Sequence, residues 1–467
     1  MSSMQPNYKH ILMLSDQDVL RAGNQVLFET IRGYVEAGYH VSFVTNQKDD
    51  PNVASAQELF GSKAGMVDIH RFPIPFHQVR QRIIGRGWAK RIGRLRRAFR
   101  PAPSTEQLPS LVGFPPPPER VAPFLTNAGG PANPWSRLNQ HLFERGLYKT
   151  ALGTARARPV DLVYAFETNA TTVARRLADR FRVPLCSRYQ GSFLSPSLDS
   201  GTAKRDYPFH LRGTQVPADL HVMSNDGTKG EEVLLRLGHP KERVLFLVDG
   251  IRKDIYHPEV DKAQVWGEVG IPYTPGTRVI LTLSKLGPWK RHDRIIGAMP
   301  AILREAPNTY LAIAHRGEMR PILERYAQEL GVAHRVVFTG PVPHTQVYRL
   351  LNACDVYVNC NDHSNLSHPV MEAMVCGKAV VSIDDGSLSG IITDGVNGVL
   401  VGLPNIKQEL PAKIARLLRD DVYRAEIGRN ARRFSETNLY SWDQRMKLEV
   451  ERVEQLLSRH SLPAMAH

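Results

Sequence analysis

Short apolar runs alternate with stretches of helical period along most of the chain, and this alternation restricts the fold more than any other feature. Residues 10–14 read as a buried strand. Residues 24–37 carry Val26, Leu27, Ile31, Tyr34 and Val35 at helical spacing and stop at Gly38, and residues 41–45 form the next strand. Strands over 161–166, 183–188, 219–223 and 244–248 follow, with helices over 169–180 and up to Leu237 between them. Residues 265–277 are polar and hold Gly267, Gly270, Pro272, Pro275 and Gly276, which marks a boundary. The rhythm then restarts, with strands over 278–283, 310–314, 336–339, 355–360 and 379–383 and helices over 292–304, 318–330, 345–353 and 369–375. Three helical patterns close the chain, over 408–418, 422–435 and 441–458. Strands joined through helices lie parallel, because a crossover of that length returns the chain in the same direction and covers both sheet faces. The expected class is α/β, with two Rossmann-like, doubly wound domains facing each other across a ligand cleft.

A length of 467 residues suffices for two or three domains at ~150 residues each. No run of about 18 apolar residues occurs, so no transmembrane helix is expected, and the polar amino terminus lacks the apolar core of a secretory signal. Cys186, Cys354, Cys360 and Cys376 show no metal-ligand spacing and read as reduced, buried thiols of a cytoplasmic protein. Charge is unevenly spread: residues 80–100 hold eight arginines and Lys90 without one acid, nine of the +14 excess charges. Within that run Ile84, Trp88, Ile92, Leu95 and Phe99 make a narrow apolar stripe. Such a stripe suits an interfacial helix on anionic lipid, or a helix packed on its own domain with a solvated arginine face. Gly85, Gly87 and Gly93 weaken the helix. Zinc-finger spacing and aromatic RNA-binding strands are absent from the sequence, so nucleic acid is not expected as a partner. The whole stretch 71–157, with its Pro115–Pro118 run, reads as an irregular insertion.

Chemistry concentrates at strand ends of the second half. Residues 361–381 leave an apolar strand, cross a polar loop and enter a short helix holding Glu372, before Gly377 and a new strand. A helix start there offers unpaired N–H groups and partial positive charge to a phosphate. Ser284, Lys285 and Lys290 follow the first strand of this half, where cations would face the cleft. Gly23 follows the first strand of the chain, Glu167 ends another, and Gln190 precedes Gly191 after a third.

The run Glu372-Ala373-Met374-Val375-Cys376-Gly377-Lys378-Ala379-Val380 resembles the second half of the motif of family-4, retaining nucleotide-sugar glycosyltransferases of the GT-B fold. That motif reads Glu, seven residues, Glu-Ala-Met-x-x-Gly-x-Pro-Val; here Ser364 stands for the first Glu and Ala379 for the proline. Ser284-Lys285-Leu286 and Lys290-Arg291 match the family's Gly-Arg-Leu and Lys-Gly, with Arg291 in place of glycine. Asp249-Gly250-Ile251 resembles the family hinge, Trp442 begins a helix that in this fold crosses back to the first domain, and Gly390 stands where many members have Glu.

The resemblance implies a metal-independent hexosyltransferase without cofactor, moving a sugar from a nucleoside diphosphate to a glycan, lipid-linked or small-molecule acceptor. Residues 1–264 would form the acceptor domain, 265–440 the donor domain and 441–467 the returning helix. Lys285 and Lys290 would bind the diphosphate, with Gln190 near the transferring sugar as the third residue of the catalytic group. Gly23, Ser284, Ser364, Asn365, Leu366, Ser367 and Glu372 would complete the donor site, Glu372 on the ribose. The role of the missing first Glu, reaching the transferred sugar, would pass to the backbone around 364–367. Localisation would be cytoplasmic, at the inner membrane face if residues 80–100 meet lipid. Two other classes stay open: a GT-B protein that binds nucleotide sugar or glycan without turnover, and a basic membrane- or nucleic-acid-binding α/β protein.

Overall fold

The computed structural model describes residues 8–19, 24–46, 55–73 and 134–461. Two parallel sheets form the frame. The first has order β3-β2-β1-β4-β5-β6-β7, with β1 His10–Ser15, β2 His40–Asn46, β3 Val67–Phe72, β4 Leu162–Phe166, β5 Leu185–Tyr189, β6 Leu220–Ser224 and β7 Val244–Leu247. The second has order β10-β9-β8-β11-β12-β13, with β8 Arg278–Leu283, β9 Thr309–Ala314, β10 Val336–Gly340, β11 Val356–Asn359, β12 Ala379–Ile383 and β13 Val399–Val401. In each sheet the strand order reverses at a central pair, β1 beside β4 and β8 beside β11. Loops at that switch point diverge and leave a crevice at the carboxyl ends of the strands.

Every residue of β1, β4, β5, β11 and β12 is buried, as expected of parallel strands covered on both faces. Helix Gln25–Glu36 covers the first sheet with Val26, Leu27, Ile31, Tyr34 and Val35, the stripe read from sequence. Helix Trp442–Ser461 places Trp442, Met446, Val453 and Leu457 in that same core beside Ile11, Tyr164 and Val222. The chain therefore passes between the sheets twice. It leaves β7 through Asp249–Ile251 and returns at Ser441, which bridges Ile251, and the Ile251 N–H donates to the Tyr440 carbonyl at 3.0 Å.

A buried charge cluster fastens this double crossing. Arg188 of β5, 0% exposed, donates to Glu449 of the terminal helix and to Asp249 of the crossing, each at 2.8 Å. Arg445 also donates to Glu449, and the hydroxyls of Tyr34 and Tyr164 reach the other Glu449 oxygen at 2.9 and 2.6 Å. Burial would raise the Glu449 carboxyl, but Arg445 and Arg188 outweigh it and hold it down at about 2.

Two sequence readings need correction. The stretch 71–157 is not irregular throughout: it begins in β3 and ends in helix Pro134–Ala157, whose Phe143, Leu147 and Ala151 are buried four residues apart. Gly146 obscures that helix in sequence, yet it is where the Phe72 ring lies closest; a Cβ there would sit 2.5 Å from Phe72 Cδ2. Residues 265–277, read as a polar boundary, begin inside a helix. Helix Lys262–Glu268 enters them, and Val265 and Trp266 lie in the core of the second sheet with Ile251 and Ile255. The basic run 80–100, the Pro115–Pro118 run and Gly23 lie outside the described residues. All four cysteines are free and buried.

The cluster predicts an asymmetric mutational response. Glu449→Gln leaves two buried guanidinium groups without their shared anion and should lower the urea unfolding free energy by ~3–5 kcal/mol. Glu454→Gln, at the exposed pair with Lys9, should cost ~0–1 kcal/mol. Equal costs would contradict the assignment. Because the folded Glu449 value lies below the unfolded one, its contribution is complete above about pH 4.5 and fades as pH falls toward about 2.

Candidate functional site

The wall that the second sheet contributes begins where β8 ends. Ser284 Oγ lies 3.1 Å from His292 Nε2, and exposed Lys285 precedes a 3-10 turn, Pro288–Lys290. That turn lays Lys290 Nζ 3.7 Å from the centre of the Trp289 ring. Burial pushes the Lys290 ammonium down to about 7, although the Asp226 charge pulls the other way. Arg291 follows with φ 51°, the left-handed backbone that glycine adopts without cost, which accounts for the glycine of the resembled motif. Its guanidinium is spent on structure: it donates to Asp293 at 2.9 Å and to Asp362 at 3.1 Å, while Arg294 donates to Asp362 at 2.6 Å. The two arginines thereby pin the loop after β11.

That loop is closely folded. Asn365 is fully buried; its side chain donates to Asp385 at 2.7 Å and to the Asn361 carbonyl at 3.2 Å. The N–H groups of Asn365 and Leu366 donate to Ser387 Oγ at 3.1 and 3.2 Å, and the Ser367 N–H donates to the Asn365 carbonyl at 2.9 Å. These N–H groups, read from sequence as ready for phosphate and sugar oxygens, are thus engaged within the protein. Asn365 and Leu366 shape the loop instead of lining open space. His363 stacks flat on Trp289, with ring centres 4.8 Å apart and planes 6° apart. Ser364 has φ 56°, and its hydroxyl donates to Asp226 Oδ2 at 3.2 Å. Helix His368–Val375 then carries Glu372, 5% exposed, close enough to act electrostatically on Arg252. His368 stacks on Trp442 at 5.8 Å, with Nε2 3.8 Å from Asp249, so the helix start abuts the charged crossing.

The first domain supplies the opposite wall. Glu167 ends β4 with φ 70° and accepts the Gln190 N–H at 2.9 Å, while the Gln190 side chain donates to Gln17 at 3.4 Å. Burial and then the Asp16 charge lift the Glu167 carboxyl to about 8, so it is protonated at neutral pH. Asn169 donates to Asp16 at 2.7 Å. Phe193, after β5, meets His363 of the second domain edge-on, with ring centres 6.0 Å apart.

Of the sequence-predicted residues, Lys290 and Ser364 converge on Asp226. Ser367 precedes the helix that holds Glu372. Gln190 sits with Glu167 on the first domain, and Lys285 is exposed. Asp226, Trp289, His363, Asp362 and Arg294 were missed. For Asp226 a signal existed, since Asn225-Asp226-Gly227 is a polar turn directly after a strand, the placement that singled out Glu167. Among the described residues, His, Cys, Asp and Glu form no group able to hold a metal ion, and no helix is long and apolar enough to cross a membrane.

Residues 272–434 match the family described as "Glycosyl transferases group 1". The chain is 32% identical over 216 residues to an uncharacterized glycosyltransferase of Methanocaldococcus jannaschii, covering 46% of this chain and 54% of that protein. It is 29% identical over 211 residues to the GDP-mannose-dependent alpha-(1-6)-phosphatidylinositol monomannoside mannosyltransferase of Mycolicibacterium smegmatis, covering 44% and 54%. The chain thus spans about half the length of the curated relatives it matches. Among solved structures, Anabaena HepE in complex with UDP and glucose superposes with a TM-score of 0.66 at 18% identity, over 96% of this chain and 100% of that one. The two facing sheets are therefore the GT-B fold, and residues 272–434 are similar to the group 1 glycosyl transferases.

Proposed function

We propose that the chain is a metal-independent, retaining hexosyltransferase, moving a sugar from a nucleoside diphosphate to a glycan, lipid-linked or small-molecule hydroxyl. The observation that carries this reading is Lys290, half-buried over Trp289 at the end of β8, with its ammonium poised near neutrality beside the loop that starts helix His368–Val375. A cation so placed gains most when an anion arrives. The Anabaena protein of similar fold is described with UDP and glucose, and the mycolicibacterial relative as GDP-mannose-dependent; both support a nucleotide-sugar donor.

In this reading Lys285 and Lys290 neutralise the diphosphate as the bond between the anomeric carbon and the phosphate oxygen breaks. The acceptor oxygen bonds to that carbon on the same face, and its proton passes to the departing phosphate oxygen, so configuration is kept. Glu372 takes ribose hydroxyls. Ser284, Ser364 and Ser367 stand along the donor, and Asn365 and Leu366 hold the loop in shape. Gln190 orients a hydroxyl beside protonated Glu167. Residues 1–264 would serve the acceptor and 265–440 the donor, with helix Trp442–Ser461 returning to the first domain. Binding without turnover is the rival reading, favoured by Ser364 and Gly390 departing together from the family pattern. Donor cleavage separates the two.

Lys290 gives this reading a pH signature. Its free-protein value is about 7, and a bound diphosphate favours the charged form, so binding above pH 7 takes up a proton and affinity falls as pH rises through 7. Calorimetric titration with UDP and GDP at pH 8, in buffers of different ionisation enthalpy, should show uptake of close to a full proton. Lys290→Ala should abolish the uptake and weaken diphosphate binding by ~1.5–3 kcal/mol. Lys285→Ala should weaken binding and keep the uptake. Uptake unchanged in Lys290→Ala would sink the assignment.

We further infer that the enzyme works against an anionic membrane. Helix Pro134–Ala157 turns Phe143, Leu147 and Ala151 inward and leaves Trp135 69% and Leu138 38% exposed. Arg145 and Lys149 are also exposed on this helix, and they lie on its outward side with Leu142, at the angles a 100° repeat assigns, while exposed Arg137 lies on its flank. Trp135→Ser combined with Leu138→Ser should reduce co-sedimentation with vesicles containing phosphatidylserine, and high salt should do the same for the parent protein. Equal binding to neutral and anionic vesicles would count against the inference.

A further inference from the structure

Asp226 is the point at which the first domain enters the donor wall. It follows β6 in the turn 225–228, and its two oxygens serve different purposes. Oδ1 accepts the Thr228 N–H at 3.0 Å and the Thr228 hydroxyl at 2.6 Å, while Thr228 in turn accepts the Ser192 N–H at 2.7 Å. This fixes the carboxylate plane. Oδ2 points across the cleft and accepts the Ser364 hydroxyl at 3.2 Å.

Space for this reach is made by two glycines. A Cβ on Gly191 would lie 2.3 Å from Asp226 Oδ2, and a Cβ on Gly227, whose φ is 84°, would lie 2.0 Å from Ser387 Cβ. The neighbouring acids of the second domain are committed elsewhere. Asp362 Oδ1 holds Arg291 and Arg294, while Asp385 holds Asn365 and Ser387. Ser364, the residue facing Asp226, brings no charge of its own. Lys290 acts on this carboxylate electrostatically and is not bonded to it: the Asp226 charge favours the Lys290 ammonium. So the site pairs an ammonium with a carboxylate whose outward oxygen already binds a hydroxyl.

We propose that Asp226 binds a hydroxyl of the sugar being transferred, giving the donor site from across the cleft the carboxylate that residues 361–367 do not offer it. The inference rests on the glycosyl-transfer reading and adds to it the group that recognises the sugar. A diphosphate is drawn to Lys290 and repelled by Asp226, so the donor lies with its phosphates toward the second domain and its sugar toward the first. The sugar hydroxyl displaces Ser364 Oγ as donor to Oδ2, in a charge-assisted bond.

The test compares each nucleotide sugar with its bare nucleotide, using UDP-glucose against UDP and GDP-mannose against GDP, by calorimetry on the full chain. Asp226→Asn should lower affinity for the nucleotide sugar that the parent protein prefers by about tenfold or more, the loss of a bond to a charged group. The matching nucleoside diphosphate should bind within about twofold of the parent. Ser364→Glu alone should also weaken sugar-nucleotide binding, because it sets a second carboxylate against the first. Combined with Asp226→Asn it should restore that binding, since the charge returns to the same place from the other wall. Equal losses for nucleotide and nucleotide sugar, or failure of the double variant to recover, would overturn the role of Asp226. Parent protein that binds none of the four compounds would overturn the glycosyl-transfer reading itself.

Discussion

The Asp249–Arg188–Glu449–Arg445 cluster is the interaction on which the two-domain arrangement rests. It joins a strand of the first sheet, the outgoing crossing and the returning helix at one buried point. Ion pairs in such a place gain little over an apolar core, but their geometry is exacting, because an unpaired charge there is costly. A covalent chain crossing twice at one spot, with its charges matched only in register, fixes where the two crevices meet. His368 carries that register into the loop and helix after β11, stacked on Trp442 and close to Asp249.

From this fixed point the chemistry of the cleft follows as a separation of charge. The second sheet contributes cations at its strand ends, Lys285 and Lys290, while Arg291 and Arg294 are withdrawn into the scaffold to hold Asp362. The first sheet contributes carboxyl groups: Asp226 reaches across, and Glu167 is kept neutral by burial and by Asp16. A ligand with an anionic end and a hydroxyl-rich end fits that polarity, which is the shape of a nucleoside diphosphate sugar. Flat stacking of His363 on Trp289 and the edge contact of Phe193 give the junction an aromatic floor between these ends.

Much of the frame was legible because parallel strands buried on both faces must be continuous apolar runs. β8 Arg278–Leu283 and β12 Ala379–Ile383 show this in their sequences alone. β3 and β13 were not read. VDIHRF alternates as an edge strand and is half solvated, and VLV is too short to stand out from a loop. Lys285 and Lys290 stood out by their place after a strand. The Ser364–Asp226 contact joins residues 138 positions apart in different domains, so no local pattern could announce it. The occupied N–H groups of Asn365 and Leu366 escaped notice for the same reason, since Ser387 reaches them from another loop.

In the function proposed above, this cleft breaks a sugar–phosphate bond with retention. Proton NMR of the parent protein incubated with UDP-glucose or GDP-mannose, with water as acceptor, tests it without knowledge of the natural acceptor. Release of UDP or GDP with the α-anomer of the free sugar appearing before mutarotation is the predicted result. First appearance of the β-anomer, or intact donors alongside tight diphosphate binding, would contradict it.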